Sequence, residues 1–307
     1  MKKHILLGMA MAVLIKTTNA CGICGCPSAG TYLGVLPQYQ KHFIGLRYNY
    51  RSFETTHPAS IIPGLSGRKS TEIFQGLELI GRYVPSKRWQ IIGILPAQQM
   101  QQTIGTETTV NVGIGDATVI GYYSVLPGKP KKEKGMIQLL QLGTGIKLPT
   151  GKNEWADENS DYNPAFQQGS GSFDGILSAI YTLRKNNFGL LTDASFQWNG
   201  KNKFSYQFGN KLSGSSRVFY TFKKNDNTWM LHTGIYAENS MADYLNNKFQ
   251  HNTGGSIIMP MAGIDFYSRR ISTGINYRTP SAQNLFGGYV KSKARLLFSV
   301  SYIINTK

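Results

Sequence analysis

Apolar and polar residues alternate with a period of two in segment after segment beyond residue 40. In the run 193–199, Ala194, Phe196 and Trp198 alternate with polar or charged neighbours. Successive side chains of a β-strand point to opposite faces, so each segment would present one face to an apolar medium and the other to water. This pattern predicts many β-strands with two unlike faces.

Residues 1–20 have the composition of an export signal. Lys2 and Lys3 precede an apolar run from Ile5 to Ile15, and Thr18, Asn19 and Ala20 supply small residues before a cleavage point. The run is too short to span a bilayer, and no other stretch approaches about 18 uninterrupted apolar residues. An exported bacterial chain with many two-faced strands is most simply a closed outer-membrane barrel, because closure pairs every backbone group in lipid.

The alternation predicts twelve strands, of which the eighth is interrupted by Ser213–Ser216. With a periplasmic N-terminus, this count places the short connections inside and every long one outside, as in bacterial barrels. The outer connections then include residues 103–113 and 149–172. We predict an all-β, transmembrane antiparallel up-and-down barrel of about twelve strands over residues 41–307. The expected strands cover residues 41–53, 71–84, 88–102, 114–126, 135–148, 173–184, 187–199, 204–223, 228–239, 256–268, 270–280 and 292–304.

The parity within each strand assigns its side chains to lipid or to the lumen. Apolar sets such as Leu46 with Tyr48, and Phe204 with Tyr206 and Phe208, are assigned to lipid. The opposite parity collects a charged, net cationic set. It fits an ion-pair network that fills a narrow barrel or a constriction that attracts anions. These lumen-lining candidates are Arg47, Arg51, Glu78, Arg82, Arg184, Asp193, Arg217, Asp265, Arg278 and Arg295.

The amino-acid composition agrees with a barrel wall and limits the classes of binding partner that we expect. Charged residues are 16% of the chain, below the roughly 25% usual for soluble domains, whereas aromatics reach 12%. The formal charge is +17, but no compact basic recognition element with interleaved aromatics points to nucleic acid. Outer-membrane lipid, lipopolysaccharide, a small-molecule solute and the barrel-assembly machinery are the expected partners. No P-loop, HExxH or nucleophile elbow occurs, so we do not expect an enzyme.

Two short glycine-rich motifs stand near the middle of the chain. Gly113–Asp116 reads GIGD, and Thr144–Gly151 reads TGIKLPTG. Glycines in the first permit close backbone approach or a bulge, the Pro and Gly of the second end a strand in a turn, and Asp116 is expected to cap such a turn. These residues therefore have a structural interpretation as turn builders and an alternative one as a substrate gate.

The same motifs resemble the GxGD and TGxKLPTG signatures of the outer-membrane transporter family named for the MetA pathway of phenol degradation. The resemblance extends over about residues 40–302. It implies passage of small, largely hydrophobic molecules, because that family is a relative of the long-chain fatty-acid and aromatic-hydrocarbon channels. The residues that carry it are Gly113, Gly115, Asp116, Gly145, Pro149 and Gly151.

All three cysteines lie directly after the expected cleavage site, as Cys21, Cys24 and Cys26. Thiolates at this spacing suit Cu(I), whereas structural Zn(II) would want a fourth ligand, for which His42 is the nearest imidazole. The alternatives are a lipidated Cys21 or a disulfide of Cys21 with Cys24 or Cys26. Residues 21–40 would form a periplasmic tail or a lumenal plug, and the related fatty-acid channels favour a plug.

Other candidates are weaker. Met259 and Met261 share one face of a strand and are expected to be wall residues, and His57, His232 and His251 are scattered without metal-ligand spacing. The sequence therefore predicts a passive outer-membrane transporter or channel for small hydrophobic or anionic molecules. The alternative is a copper- or zinc-binding outer-membrane protein that uses the cysteine cluster.

Overall fold

The computed structural model describes residues 41–57, 69–127, 136–154 and 164–304. This part of the chain is almost entirely β-structure, with two single-turn 3-10 helices. No helix in the described ranges is long and apolar enough to cross a membrane. The strands are β1 His42–Thr56, β2 Lys69–Ser86, β3 Trp89–Ile104, β4 Glu107–Ile114, β5 Thr118–Pro127, β6 Met136–Lys147, β7 Asp174–Lys185, β8 Phe188–Trp198, β9 Tyr206–Gln207, β10 Lys211–Lys224, β11 Asn227–Ser240, β12 Tyr244–Leu245, β13 Lys248–Phe249, β14 Gly255–Tyr267, β15 Ile271–Arg278, β16 Ala282–Leu285 and β17 Val290–Ile304.

Twelve of these strands form a closed antiparallel barrel in which sequence neighbours are also spatial neighbours. The order is β1, β2, β3, β5, β6, β7, β8, β10, β11, β14, β15 and β17. Strand β17 pairs with β1 from Ile304 opposite His42 to Val290 opposite Thr55, which closes the cylinder. Closure leaves the wall without an edge strand. The predicted fold class and strand number are confirmed.

Side chains alternate between an exposed apolar exterior and a buried interior along each barrel strand. In β8, Trp198 is 65% exposed whereas Asp193 and Gln197 are buried. In β1, Leu46 is 50% exposed and Arg47 is buried. An exterior of Ile, Leu, Val and aromatic side chains around a polar interior is the reverse of a soluble sheet, and it matches a wall that contacts lipid.

The two ends of the barrel differ in their connections. At one end, called the turn end, β2–β3, β7–β8, β10–β11 and β14–β15 are joined by two or three residues. At the other end, called the loop end, the connections are longer and carry the short strands β9, β12, β13 and β16. Aromatic side chains pair around the turn end, as in Trp89 with Tyr123 and Phe188 with Tyr220. Such aromatic girdles mark a membrane interface.

The eighth barrel strand is shorter than the sequence predicts. It begins at Lys211, and the segment expected to lead into it folds as β9, which pairs with β12 in a small loop-end sheet. Tyr206 and Phe208, assigned to lipid, are buried instead. The hydroxyl of Tyr206 donates to Asp243 Oδ2 at 2.5 Å, and this polar partner holds the ring inside the loop structure.

One further sequence assignment is corrected by the strand pairing. Residues 103–113, expected to be an outer connection, are mostly strand, because β4 folds back on the end of β3 as a hairpin. Met259 and Met261, expected to be wall residues, belong to barrel strand β14, where they lie on the inward face and are buried among interior apolar side chains.

Candidate functional site in the barrel interior

The barrel interior contains several buried charges, and many of them pair with each other. Arg47 on β1 forms a salt bridge with Glu78 on β2, and Arg217 on β10 lies 3.0 Å from Asp193 on β8. His232 Nε2 lies 3.5 Å from Asp265 Oδ2. The two arginine–carboxylate contacts are buried ion pairs, and such pairs link neighbouring strands when their geometry is good.

Two other interior arginines lie toward the turn end. Arg82 donates from Nε to the Lys41 carbonyl at 2.9 Å and stacks over Phe43. Arg184 donates from Nε to the Asn186 carbonyl at 2.8 Å and from Nη2 to Thr221 Oγ1 at 3.1 Å. Both arginines therefore contact neighbouring residues of the barrel near the turn end.

Three further arginines meet at one level of the wall, nearer the loop end than the turn end. The pairing places Arg51 on β1 directly opposite Arg295 on β17, and Arg295 directly opposite Arg278 on β15. All three side chains point inward and line the same cavity. We call Arg51, Arg278 and Arg295 the arginine cluster. Like charges placed directly opposite each other on adjacent strands destabilise the pairing.

The Glu238 carboxylate makes only a long contact with the arginine cluster. Arg295 Nη1 lies 3.9 Å from Glu238 Oε2, and within the described part of the chain the buried Arg295 Nε has no hydrogen-bond partner. Arg278 Nε donates to Asn276 Oδ1 at 3.0 Å. Glu238 Oε2 already accepts the Tyr236 hydroxyl at 2.5 Å, and the charges of Lys211, Arg295 and Arg51 all act on Glu238. Counted over the described residues, this part of the interior therefore carries more positive than negative charge.

The cavity beside the arginine cluster is small and lies inside the barrel. It holds about 40 Å³ of space, which is room for a few water molecules rather than an open pore. Arg47 and Glu78 neutralise each other on its wall, so the remaining charge of the lining is that of the arginine cluster. The lining residues include Asn49, Pro96, Gln98 and Asn276.

An apolar layer covers the cavity on the loop-end side. Buried Phe53, Phe74, Met100 and Val290 form one cluster, and the loop residues Phe166, Leu285 and Phe286 pack against it. We call these seven residues the apolar roof. Leu285 also packs against Tyr236, Ile257, Met259 and Met261, which extend the apolar surface around the wall.

Two rings of the apolar roof and the neighbouring Tyr236 ring lie against the arginine cluster. The Arg51 guanidinium lies 5.8 Å from the Phe74 ring centre, Arg295 lies 5.9 Å from that of Phe53, and Arg278 lies 4.4 Å from that of Tyr236. Each cation therefore meets one aromatic face. The arrangement is a cationic cavity beneath an aromatic and aliphatic ceiling.

The glycine-rich motifs meet in a separate buried network at the loop end. Lys147 Nζ lies 3.3 Å from Asp116 Oδ2 and also pairs with Asp174. Asp116 further accepts the Gly151 N–H at 3.0 Å and the Ser170 N–H at 2.8 Å. We call Asp116, Lys147, Asp174, Gly151 and Ser170 the motif network. It ties the β4–β5 break to the connection between β6 and β7.

The glycines of the motifs lie where chain segments approach too closely for a side chain. A Cβ at Gly151 would lie 2.7 Å from Gly169 Cα, and one at Gly145 would lie 2.5 Å from the Val119 carbonyl oxygen. A Cβ at Gly115 would lie 3.0 Å from Pro96 Cγ, and one at Gly113 would lie 3.0 Å from Gln168 Cγ. Pro149 lies one residue before Thr150, whose hydroxyl donates to the Gly115 carbonyl at 2.9 Å.

Several residues of these sites were not singled out from the sequence. Lys147 entered only as a motif letter, and Asp174 and Glu238 entered no site at all, because their partners lie on strands distant in sequence. A buried charge at inward parity was the available signal. Cys21, Cys24 and Cys26 lie outside the described residues. Within the described ranges, no group of three or more His, Cys, Asp or Glu side chains is placed to hold a metal ion.

Comparison with known proteins identifies the family. A family model described as the putative MetA pathway of phenol degradation matches residues 51–289, which is more than half of the chain. The chain belongs to this family. The match contains both motifs and the whole motif network, so the resemblance inferred from GIGD and TGIKLPTG is confirmed. A comparison with curated proteins finds no match.

A solved outer-membrane structure shares the fold of this family member. An outer-membrane channel from Pseudomonas putida F1 is 14% identical, covers 88% of this chain and 100% of its own, and superposes with a TM-score of 0.60. The β-domain of the Bordetella autotransporter BrkA is 10% identical over 85% of this chain and 99% of its own, with a TM-score of 0.47. The closed barrel with its apolar exterior places the chain in the bacterial outer membrane.

Proposed function

We propose that this MetA-type family member is a passive channel that carries small molecules across the outer membrane. The observation that carries the proposal is a cationic cavity inside a closed barrel, with the arginine cluster on its wall. A purely structural barrel gains nothing from three facing guanidinium groups, because their mutual repulsion costs stability. Positive groups that line a path lower the barrier for anions.

The cavity and its ceiling limit the solutes that we expect. A space of about 40 Å³ admits a small solute only if side chains of the apolar roof move. Phe166, Leu285 and Phe286 belong to loops rather than barrel strands, so they are the natural moving parts. We infer that solutes are small, that an apolar surface is tolerated, and that a negative charge is favoured.

Transport is tested by reconstituting the purified protein into planar bilayers and liposomes. We expect stepwise conductance, and efflux of small solutes such as benzyl alcohol and benzoate down their gradients. The double variant Phe166→Ala with Phe286→Ala should raise the conductance because it removes two rings from the roof. Phe188→Ala, at the turn end on the lipid-facing surface, is the matched control. Absence of conductance and of efflux for every solute would contradict the proposal.

The metal-binding alternative stays a prediction from the sequence. Its motivation is the spacing of Cys21, Cys24 and Cys26, which lets three thiolates meet one soft ion. Titration of the purified mature protein with Cu(I) and Zn(II) tests it against a variant with all three cysteines changed to serine. Equal metal uptake by both proteins would remove this alternative.

A further inference from the structure

We propose that the arginine cluster is a carboxylate-binding site inside the channel, and that its ligands are small amphipathic acids with an aromatic or short aliphatic body. The inference rests on the proposed function, because it names the solute class for the same cavity. The charge balance of the cavity, the Arg295 donor beside it and the apolar roof support this class of ligand.

The charge balance calls for an anion. The pairing fixes Arg51, Arg295 and Arg278 side by side on three adjacent strands, and Arg278 is within electrostatic range of both Arg217 and Asp193. Glu238, at 3.9 Å from Arg295, is shared among several cations. Burying a charge without a close counter-charge is costly. For Arg295, whose carboxylate contact among the described residues is this long one, a carboxylate in the cavity would supply a closer negative charge.

The arginine side chains that line the cavity carry the N–H donors that a carboxylate needs. Each guanidinium carries five N–H donors in a rigid fork that matches a carboxylate in a bidentate manner. None of the residues that the structure describes accepts a hydrogen bond from the buried Arg295 Nε. Arg278 uses Nε on Asn276, which orients its two terminal nitrogens. A buried donor without a partner calls for an explanation, and a bound anion beside the cavity would supply one.

The apolar roof favours a ligand whose remaining part is apolar. Phe53, Phe74 and Tyr236 each lie against one arginine of the cluster, and the apolar roof continues from these rings toward the loop end. A hydrated inorganic anion would leave this surface unused. An acid with an apolar body would place its carboxylate on the arginines and its body under the roof, which adds burial of apolar area.

The site is tested by calorimetric titration of the detergent-solubilised protein with benzoate, using benzyl alcohol as the neutral analogue of the same shape. We expect benzoate to bind at least about tenfold more tightly than benzyl alcohol, because charged hydrogen bonds are the strong ones. Inorganic phosphate is titrated in parallel, and we expect it to bind more weakly than benzoate because it gains nothing from the roof.

Some variants are expected to weaken benzoate binding and one is expected to strengthen it. Together they distinguish an effect on the binding site from a loss of folded structure. Arg295→Gln and Arg278→Gln should each weaken benzoate binding about tenfold. Glu238→Gln should tighten it several-fold, since it removes the carboxylate that competes for Arg295. Arg184→Gln is the matched control, because Arg184 is an interior arginine that contacts Thr221 and Asn186 instead. A general loss of structure cannot produce the tighter binding of the Glu238 variant.

Failure of this inference can be told apart from failure of the proposed function. Equal affinity for benzoate and benzyl alcohol, preference for phosphate, or unchanged benzoate binding in the Arg295 and Arg278 variants would overturn the carboxylate site while conductance persists. Loss of conductance and efflux for all solutes would instead overturn transport, whatever the titration shows.

Discussion

The motif network and the arginine cluster differ in how closely their buried charges are compensated by neighbouring groups. In the motif network, Lys147 stands between Asp116 and Asp174, and backbone N–H groups occupy the remaining carboxylate positions. In the arginine cluster, Arg295 lies 3.9 Å from the Glu238 carboxylate. Short contacts compensate the charges of the motif network, whereas within the described ranges Arg295 has only this long contact to a carboxylate.

This difference separates charges that build the fold from charges that serve a solute. In a compensated network, the long β6–β7 connection packs against the loop end of the barrel without leaving buried polar groups unpaired. An uncompensated cluster reduces the stability of the apo state and becomes favourable when an anion arrives. Substitutions in the two regions should therefore change different measured quantities.

The largest effect is expected for Lys147→Met. This change leaves Asp116 and Asp174 buried without their shared cation, and removal of one partner of a buried pair costs about 3–5 kcal/mol. The free energy of unfolding is measured by urea titration of the protein folded in detergent micelles. A loss below about 1 kcal/mol would show that the network does not hold the loop.

A second test concerns Asp243, a buried loop-end carboxylate for which no ion pair with a lysine or arginine is found in the described part of the chain. Burial raises the pKa of Asp243 to about 6, although the Tyr206 hydroxyl and the Gly209 N–H act in the opposite direction. The folded state therefore retains a proton that the unfolded state, with a pKa near 3.8, has lost. Stability from this group is present below about pH 4 and is lost as the pH rises through 6.

The size of this pH effect is at most about 3 kcal/mol. It is measured as the protection of the Gly209 amide against hydrogen exchange, corrected for intrinsic exchange, at pH 4.5 and 7.5. Protection should be lower at the higher pH, and Asp243→Asn should abolish the dependence. Protection that rises with pH in the wild type would contradict the assignment.

A smaller effect is expected for Gly169→Ala. The new Cβ would lie 2.4 Å from Asp116 Oδ1 and 2.7 Å from the Gly151 carbonyl oxygen, so the motif network would have to shift at a cost of about 1–3 kcal/mol. Gly175→Ala is the matched control, because nothing lies within 4 Å of a Cβ there. Equal unfolding free energies for the two variants would show that the close approach is not needed.

The smallest stability change is expected for Arg295→Gln. Loss of one member of a like-charged row removes repulsion as well as the long contact to Glu238, so the free energy of unfolding should change by less than about 1 kcal/mol. The same urea titration measures it. A loss of unfolding free energy as large as that of Lys147→Met would show that Arg295 stabilises the fold. The two regions would then not differ in the role of their charges.

The barrel could be predicted from the sequence because its determinants are local. Period-two alternation and turn lengths are properties of neighbouring residues, and they gave all twelve strands. The eighth strand was begun too early because the alternation of Tyr206 and Phe208 continues into β9. Only the contact with Asp243, far along the chain, shows that these rings face protein rather than lipid.

The sites could be predicted only in part. Inward parity selected Arg51, Arg278 and Arg295 individually, but it does not fix strand register, and register decides that these three lie side by side. The motifs marked Asp116 without its partners, because Asp174 and Ser170 come from a connection whose path depends on the completed barrel. The alternation within a strand predicts whether a side chain faces lipid or the lumen. The register between strands determines which side chains lie next to it.

The most direct test of the account is the reversal potential of the reconstituted protein in a tenfold KCl gradient across a planar bilayer. The surplus positive charge of the arginine cluster predicts a potential shifted toward the chloride equilibrium value. It should move further in that direction for Glu238→Gln and back toward zero for Arg295→Gln. A potassium-selective potential in the wild type, unaffected by either change, would contradict the claim that this cavity is a cationic path for anions.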